Sequence, residues 1–291
     1  MKKVLVLGGA GFVGTNLIKY LSLKKNIKKI VSLDDYSSGT KKNHVKSNKV
    51  IYLRGNTINI NKNSILKKNK FDTIFHFAEF SRIAESFKNY DKCWKKNTIG
   101  TYEVIKFSLK HKSKLVYSAS SSTIGKNKKH LSPYAWTKYT SCELIKNFSK
   151  WFNLKYTILY FYCVYGPHHI KTGSMATVIG IFEDQYLKRK PLTVDKPGTQ
   201  KRDFTHINDI IDGTYSAAIK TNNLEFHLGS GKEYSIIQVA KMFKTKILMK
   251  KEKPGERFEG LCDYSNAKKI LGYNPKHDLK KYINNFINSV E

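Results

Sequence analysis

The sequence has little cysteine, little proline and few acidic residues. Its four cysteines, Cys93, Cys142, Cys163 and Cys262, are widely scattered and form no C-x-x-C pair. This scatter argues against a disulfide framework and against a zinc site, so we expect a reducing, cytoplasmic compartment and no bound metal. With only 6 prolines and 40% apolar residues among 291, the composition is that of a globular chain and excludes a collagen-like or disordered one.

Long hydrophobic runs are also missing. No stretch approaches the roughly 20 apolar residues of a membrane-spanning helix, so we expect no membrane partner. The N-terminal apolar run Val4–Leu7 is interrupted at once by Gly8-Gly9. This break favours a β-strand over the apolar segment of a signal peptide.

The shortage of acidic residues gives the chain a large positive charge. There are 22 acidic and 53 basic residues, for a net charge of +31 at pH 7. Such a charge attracts phosphates, and nucleic acid is the obvious polyanion. However, the lysines are spread along the whole chain, and there is no zinc module, RNP-like aromatic motif or compact arginine cluster. We therefore interpret the charge as a solvated surface and expect no specific nucleic-acid partner.

Up to residue 165, short apolar runs alternate with longer amphipathic segments. This alternation is typical of βαβ units and predicts an α/β fold with a doubly wound parallel sheet. The predicted strands are Val4–Leu7, Lys29–Leu33, Val50–Leu53, Thr73–Phe77, Leu115–Ser118 and Tyr156–Phe161. The predicted helices between them include Gly11–Leu23, Asp91–His111 and Pro133–Phe152.

After Gly166-Pro167 the pattern becomes irregular. Helices are predicted near Met175–Leu187, Ile236–Phe243 and Lys280–Ser289. We expect residues 1–165 to form the main domain and residues 166–291 to form mostly a smaller, mixed α/β lobe. Some segments of this lobe are expected to return to the main domain.

The first predicted strand runs directly into a glycine-rich turn that opens a helix. Gly8, Gly11 and Gly14 satisfy G-x-x-G-x-x-G, and the second strand ends at Asp34, twenty residues beyond Gly14. Such glycines let the backbone approach a pyrophosphate, which then lies at the helix N-terminus. A carboxylate at Asp34 accepts hydrogen bonds from the adenine-side ribose and repels a 2′-phosphate. The pattern therefore predicts a Rossmann-type domain that binds NAD in preference to NADP.

A second group of polar residues lies at the ends of later elements. Tyr134 and Lys138 are four residues apart at the start of a predicted helix, which places them on one face, one turn apart. An ammonium group beside a phenol stabilises the phenolate, so Tyr134 can exchange a proton. Ser120 follows the end of the strand Leu115–Ser118, at the edge where open α/β sheets bind ligands. These three residues are the predicted catalytic group.

In this order, the motifs resemble the extended short-chain dehydrogenase/reductases, specifically the nucleotide-sugar epimerase/dehydratase family, over nearly the whole chain. The motifs that carry the resemblance are Gly8–Gly14, Asp34–Gly39, His76–Ala78, Asn97–Thr101, Tyr117–Gly125, Tyr134–Lys138, Val164–Pro167, Arg202–Phe204 and Asp263–Lys268. Cofactor contacts are implied for Gly8, Gly11, Phe12, Val13, Gly14, Asp34, Asp35, Ser38, Asn56, Thr57, Phe77, Ala78, Ser81, Asn97, Ser118, Tyr134, Lys138, Tyr162 and Val164. Substrate contacts are implied for Ser120, Ser122, Cys163, Arg202 and Arg257.

The resemblance implies an NAD-dependent 4-epimerase of nucleotide-linked hexoses, most simply UDP-glucose and UDP-galactose or the N-acetylhexosamine pair. A reductase of 4-keto sugars or a dehydratase of the same family is an alternative. The dehydratases carry Asp-Glu after the catalytic hydroxyl residue, whereas Ser120 is followed by Ser121-Ser122. A more remote alternative is a non-catalytic protein that binds a dinucleotide or nucleic acid.

Some positions depart from the family pattern. Glu79 stands where the family has a small residue, Asn56 replaces an aspartate, and Cys163 replaces an asparagine that touches the substrate phosphates. The family position that admits bulky 2-substituents of the sugar falls on Gly260. A glycine there leaves room for an N-acetyl group.

The family resemblance also implies a homodimer. Relatives pair through the helices that correspond to Asp91–His111 and Pro133–Phe152. Here these helices carry Trp94, Ile105, Phe107, Leu144 and Phe148.

Overall fold

A computed structural model describes residues 1–124, 130–255, 258 and 260–290. Its strands are β1 (Lys3–Leu7), β2 (Lys29–Asp34), β3 (Val50–Arg54), β4 (Thr73–His76), β5 (Lys114–Ser120), β6 (Tyr156–Phe161), β7 (Cys163–Tyr165), β8 (Leu192–Asp195), β9 (Lys201–His206), β10 (Leu224–Leu228), β11 (Glu233–Ser235) and β12 (Ile247–Lys250). Its helices are α1 (Phe12–Ser22), α2 (Ser64–Lys67), α3 (Ile83–Lys88), α4 (Tyr90–Trp94), α5 (Gly100–Lys110), α6 (Pro133–Phe152), α7 (Val178–Leu187), α8 (Ile207–Lys220), α9 (Ile236–Met242), α10 (Ser265–Leu271) and α11 (Leu279–Asn288).

Seven strands form one central parallel sheet. Their order is β10-β6-β5-β4-β1-β2-β3, and every neighbouring pair is parallel. Parallel strands need crossover connections, which place the helices on both faces and all carboxyl ends at one edge. The predicted doubly wound Rossmann-type fold is therefore confirmed.

Alternate residues of β1 explain why the sheet is covered on both faces. Val4 and Val6 pack into one cluster of buried side chains, which includes Leu17 of α1 and Ile211 of α8. Leu5 and Leu7 point the other way, into a second cluster that contains residues of α5 and α6. A strand with four consecutive apolar residues after Lys3 fits a sheet buried on both sides.

The second lobe has a core of its own. Two small sheets, β11-β9-β7 and β12-β8, surround a cluster that includes Tyr165, Phe182, Phe243 and Ile283. Between β9 and β11 the chain returns to the central sheet, where β10 pairs with β6 in parallel.

A buried lysine ties α8 to the central sheet. Lys114, at the start of β5, donates from Nζ to the carbonyl oxygens of Ala217 (2.9 Å) and Ala218 (2.8 Å), and also to that of Thr221. These are carbonyl groups at the C-terminal end of α8, which a cation satisfies. The ammonium group therefore serves as a cap that is supplied from a distant strand.

The predicted helix Asp91–His111 is interrupted. A π-helical segment, Lys95–Ile99, separates α4 from α5. Within it, Lys96 bonds to Asp35 and Asn97 bonds to Phe80, so successive side chains hold partners from different loops. Such π segments are frequent at functional sites.

None of the helices in the described ranges is both long enough and apolar enough to cross a bilayer.

Candidate active site

The glycine-rich turn joins β1 to α1 in the tight form that its glycines permit. Gly8 has a φ of 83°, and a Cβ at this position would lie 2.9 Å from the backbone nitrogen of Ala78. A Cβ at Gly14 would lie 2.1 Å from the carbonyl oxygen of Gly8. Neither position admits a side chain, and the N-terminus of α1 is left facing the carboxyl edge of the sheet.

A cavity that opens to solvent lies at this edge of the sheet. Its lining includes the predicted cofactor residues Gly8, Gly11, Asp34, Asp35, Ser38, Asn56, Thr57, Phe77 and Ala78. The lining also includes Ser37, Gly55, Ile58, Glu79 and Lys96, which were not predicted as cofactor residues. The turn, the end of β2 and the loop after β4 therefore converge on one space, as the Rossmann pattern requires.

Asp34 is held rigidly at the end of β2. Its carboxylate accepts hydrogen bonds from the backbone amides of Ala10 (2.9 Å) and Tyr36 (2.8 Å). Burial raises the pKa of Asp34, although these two amides oppose the rise. The carboxylate is thereby fixed between the glycine turn and the loop that follows β2.

The neighbouring Asp35 forms an ion pair that sequence reasoning missed. Lys96 Nζ lies 2.7 Å from Asp35 and donates to Ser37 Oγ at 2.6 Å. The hydrogen bonds from Lys96 and Ser37 lower the pKa of Asp35 in spite of its burial. No sequence signal separates Lys96 from the many other lysines, because its role depends on the π-helical segment.

Asn56 and Thr57 close the opposite wall of the cavity. Asn56 accepts a hydrogen bond from the backbone nitrogen of Asn59 at 3.0 Å and so caps the 3₁₀ segment Thr57–Lys62. Thr57 is buried against Gly100, where a Cβ would lie 2.5 Å from its hydroxyl. Close packing of the 3₁₀ segment on α5 therefore requires this glycine.

The predicted Tyr–Lys pair lies on the first turns of α6. The helix begins after Ser132, which caps the backbone nitrogen of Ala135 at 3.0 Å, with Pro133 as its first residue. Both Tyr134 and Lys138 are buried. The spacing of four residues places them on the same face, as predicted.

Lys138 is linked to the cavity by its contact with Glu79. Its ammonium group donates to the Glu79 carboxylate and, at 2.6 Å, to the carbonyl oxygen of Ser118. Glu79 itself lines the cavity. The carboxylate raises the pKa of Lys138 against the effect of burial, so the side chain remains an ammonium ion.

The predicted serines lie at the end of β5. Ser120 Oγ accepts hydrogen bonds from the Ser122 amide (3.2 Å) and hydroxyl (2.9 Å), so the two predicted substrate residues contact each other. The hydroxyl of Ser118 bonds instead to the His76 carbonyl at 3.0 Å, which joins β5 to β4.

Several predicted cofactor residues make protein contacts outside the cavity lining. The Asn97 side chain bonds to Phe80 and Thr137, and the Tyr162 hydroxyl lies 3.0 Å from His227 Nδ1. Phe12, Val13 and Val164 pack against the core, Ser81 is exposed, and Gly14 is set back within the turn. Asn97 therefore fixes the loop after β4 rather than presenting its amide to the described cavity.

The predicted substrate residues are spread over the second lobe. Cys163 lies half-buried on β7, and Arg202 is buried on β9, where it donates to the Lys201 carbonyl at 2.7 Å. Arg257 lies outside the described residues. Gly260 is buried, and its Cβ would lie 3.0 Å from the Lys201 carbonyl oxygen. Close approach of two backbones is therefore a second reason for this glycine, and the expected room for an N-acetyl group stays a prediction.

Arg82 is a further cation that sequence reasoning missed. Its guanidinium group donates to the carbonyl oxygens of Met175 and Ala176 and bridges the loop after β4 to the loop before α7. Burial lowers the pKa of Arg82, whereas Tyr134 and Cys163 act on it in the opposite direction, which places the guanidinium near both. It thus lies between the predicted catalytic helix and the second lobe.

Comparison with known proteins agrees with this geometry. The model of the NAD dependent epimerase/dehydratase family matches residues 4–229. The chain belongs to this family. Its cofactor is NAD, as predicted, and the family itself was identified correctly from the motifs.

Relatives match this family member over nearly its whole length. It is 27% identical to a Bacillus subtilis (strain 168) protein named an uncharacterized UDP-glucose epimerase, over 98% of this chain and 96% of that one. It is also 27% identical to the UDP-glucose 4-epimerase of Lactobacillus helveticus, over 95% and 93%.

Solved structures show the same similarity. The UDP-glucose 4-epimerase of Thermotoga maritima with UDP-glucose has a TM-score of 0.90 at 26% identity, covering 99% of this chain and 100% of that one. The UDP-glucuronic acid 4-epimerase of Bacillus cereus, in complex with UDP-glucuronic acid and NAD, has a TM-score of 0.87 at 25% identity, with the same coverage.

Proposed function

We propose that this family member is a UDP-sugar 4-epimerase in which Tyr134, Lys138 and Ser120 carry the chemistry. UDP-glucose and UDP-galactose are the simplest substrate pair, because the relatives named above include UDP-glucose 4-epimerases. The observation that carries the proposal is the contact of Lys138 with Glu79. This contact joins the Tyr–Lys helix to the cavity behind the glycine turn.

The residues of the cavity fit NAD. The cradle at Gly8 and Gly14 excludes side chains where the pyrophosphate must approach, and the Asp34 carboxylate is fixed where a ribose needs an acceptor. Gly8, Gly11 and the start of α1 would hold the pyrophosphate, and Phe77 and Ala78 would contact the nicotinamide half. When bound, NAD accepts a hydride from C4 of the sugar and later returns it.

In the proposed reaction, Tyr134 removes the proton of the C4 hydroxyl as the C4 hydrogen leaves as a hydride. Ser120 holds the oxygen by a hydrogen bond, and Lys138 keeps its positive charge beside Tyr134 to stabilise the phenolate. The 4-keto sugar then presents its opposite face. Tyr134 gives the proton back to the oxygen as C4 regains the hydride. The overall reaction therefore neither oxidises nor reduces the sugar.

The substrate phosphates are proposed to lie near the second lobe, with Arg202 as their cation. Cys163 is a weak donor compared with the family asparagine, so it contributes less there. Ser122 orients Ser120, since its hydroxyl lies 2.9 Å away.

The experiment that tests this function is incubation of the purified protein with UDP-, GDP-, CDP- and dTDP-sugars, followed by NMR of the products. We expect interconversion of C4 epimers of a UDP-sugar without net change of NAD. A 4-keto-6-deoxy product would identify a dehydratase, and net consumption of NADH would identify a 4-keto reductase. Absence of all three products across the panel would support a non-catalytic role.

A matched pair of variants separates the proposed base from a general effect on the helix. Tyr134→Phe removes one hydroxyl, and Tyr139→Phe removes another from the same helix. The two residues are five positions apart, about 140° around the helix, so they lie on different faces. Only the first variant is expected to lose epimer formation by a factor on the order of 10² or more.

We also propose that the enzyme is a cytoplasmic homodimer that pairs through α5 and α6. Exposed aromatic residues of these two helices include Tyr102, Trp151 and Phe152, and Trp94 at the end of α4 is exposed as well, with 40–62% of their surface exposed. Ile105 and Phe107 were expected to contribute, but both are fully buried in the central core, because they lie on the inner face of α5. Free thiols at all four cysteines support a reducing compartment.

The dimer is tested by light scattering at 50 mM and 500 mM salt. The net charge of +31 per chain opposes association, and salt screens this repulsion. A dimer at high salt supports the proposal, and a monomer at both salt concentrations contradicts it.

A further inference from the structure

Glu79 departs from the family pattern and is one of the most completely enclosed charged groups of the described chain. Its side chain is only 2% exposed, and that of Lys138 is 4% exposed. One carboxylate oxygen receives the Lys138 ammonium group, and the other accepts from Tyr117 (2.9 Å) and Thr101 (3.1 Å). Four elements, the loop after β4, β5, α5 and α6, therefore contribute to one polar cluster.

Four titratable groups packed around this pair, His76, Cys142, Tyr117 and Cys93, are neutral at pH 7. Burial and the charge of Lys138 lower the pKa of His76 to about 3, so its ring is uncharged. Burial raises the pKa of Cys142 to about 12 and raises the pKa values of Tyr117 and Cys93 as well. Glu79 and Lys138 are therefore the charged groups of this cluster.

The ion pair of Glu79 and Lys138, which has no net charge, lies where it can act on the cofactor. Glu79 follows Phe77 and Ala78 in the lining of the cavity, the two residues that the family resemblance assigns to the nicotinamide half. The nicotinamide ring of NAD is cationic when oxidised and uncharged when reduced. An uncompensated ammonium group nearby disfavours the oxidised form, and a carboxylate beside it cancels this effect.

We propose that Glu79 is a positioning residue that neutralises Lys138 and thereby favours bound NAD over bound NADH. In a family member with a small residue at this position, the lysine charge acts alone on the ring. Here the carboxylate of Glu79 fixes the position of the Lys138 ammonium group and cancels its positive charge at the cofactor site. A protein of this kind holds its cofactor in the oxidised state, ready to accept a hydride.

The test is the ratio of the dissociation constants of NAD and NADH, measured by calorimetry and NADH fluorescence without any sugar. In Glu79→Gln, this ratio is expected to rise on the order of tenfold over that of the parent protein. A unit charge about 6 Å away has an effect of this size when the effective dielectric constant is about 40, between about 20 for a protein and about 80 for water. Glu79→Ala, which restores the small side chain of relatives, is expected to shift the ratio in the same direction.

Two further variants identify the origin of the shift. The double variant Glu79→Gln/Lys138→Met has no net charge at the pair, so its ratio is expected to return to the parent value. Glu225→Gln is the matched control, because Glu225 is also held by a tyrosine and a lysine, Tyr160 (2.7 Å) and Lys146 (2.8 Å). Lys146 lies two turns further along α6, about 12 Å from Lys138, and its carboxylate partner is expected to leave the ratio unchanged.

An unchanged ratio in a folded Glu79→Gln or Glu79→Ala protein would overturn the proposal, as would a double variant that keeps the full shift of the single one. A purely structural role for Glu79 changes thermal stability and weakens both cofactor forms equally. The inference rests on the NAD site alone. Since no sugar is present, failure of the proposed 4-epimerase activity would not alter the outcome.

Discussion

Replacement of Lys138 by methionine is expected to destabilise the fold in addition to stopping the reaction. The variant leaves the Glu79 carboxylate, which is 2% exposed, with only the hydroxyl donors of Tyr117 and Thr101. Burial raises the pKa of Glu79, and Lys138 is the main group that opposes this rise. Without Lys138, the carboxyl group takes up a proton in the folded state, whereas it is ionised in the unfolded chain.

The size of this loss follows from the ordinary pKa of 4.5 for a glutamate. Holding the proton costs 1.36 kcal/mol for each pH unit above that value, which gives about 3.4 kcal/mol at pH 7 and about 0.7 kcal/mol at pH 5. The sign is that of an acid whose pKa is higher in the folded state. The native variant binds a proton that the unfolded chain releases, so stability falls as the pH rises.

The assay is urea unfolding of Lys138→Met and of Glu79→Gln/Lys138→Met at pH 5, 6 and 7, in 0.15 M salt. The double variant has no carboxyl group to protonate, so it is expected to be the more stable of the two by about 3.4 kcal/mol at pH 7. Equal stability at pH 7, or a difference that does not change with pH, would refute the reasoning. Both variants are expected to lack turnover, so the comparison separates the role of Lys138 in folding from its role in the reaction.

The remaining predictions concern single groups of the site and of the second lobe. Tyr134→Phe is expected to keep the fold and bound NAD but to lose turnover by a factor on the order of 10² or more, and normal turnover on the best sugar nucleotide would exclude Tyr134 as the base. Ser120→Ala is expected to cost less turnover and no NAD affinity, because the Ser122 hydroxyl lies 2.9 Å from Ser120 Oγ; a larger loss than in Tyr134→Phe would contradict this. Glu183→Gln weakens three contacts, with His169, Lys171 and Tyr282, and is expected to lower the free energy of unfolding by about 1.5–3 kcal/mol at pH 7. These contacts lower the pKa of Glu183. The difference in the free energy of unfolding between the variant and the parent protein should therefore shrink as the pH falls below 4.5 and through that lowered pKa. A difference independent of pH would be evidence against the ion pair.

The parts of the fold that follow from local pattern could be predicted from the sequence. The predicted strand Tyr156–Phe161 and the helix Pro133–Phe152 have the bounds of β6 and α6, because apolar periodicity and the Ser132-Pro133 start signal are local. The glycine turn and Asp34 were found for the same reason. Each is a short motif whose spacing along the chain is itself the requirement of the chemistry.

What the sequence did not reveal depends on contacts between distant segments. Glu79 was noticed as a departure from the family, but its pairing with Lys138 joins residues 59 positions apart. Lys96 reaches Asp35 only because the predicted continuous helix Asp91–His111 contains a π-helical segment. Likewise the polar residues Glu225 and His227 interrupt the apolar residues of β10, and its place in the central sheet is set by pairing with β6.

The return of the chain to the central sheet has a consequence for the order in which the protein can fold during synthesis. A ribosome that has released residues 1–165 has made six strands of the sheet, yet β6 still has one unpaired edge, because β10 completes it only at residues 224–228. Lys114 is equally incomplete at that stage, since the carbonyl oxygens that bind it belong to the end of α8. An unpaired, apolar strand edge recruits other chains. The nascent protein is therefore prone to aggregation until most of its length has been made. Fragments that end near residue 165 lack β10 altogether, so they keep the unpaired edge of β6 and stay prone to aggregation.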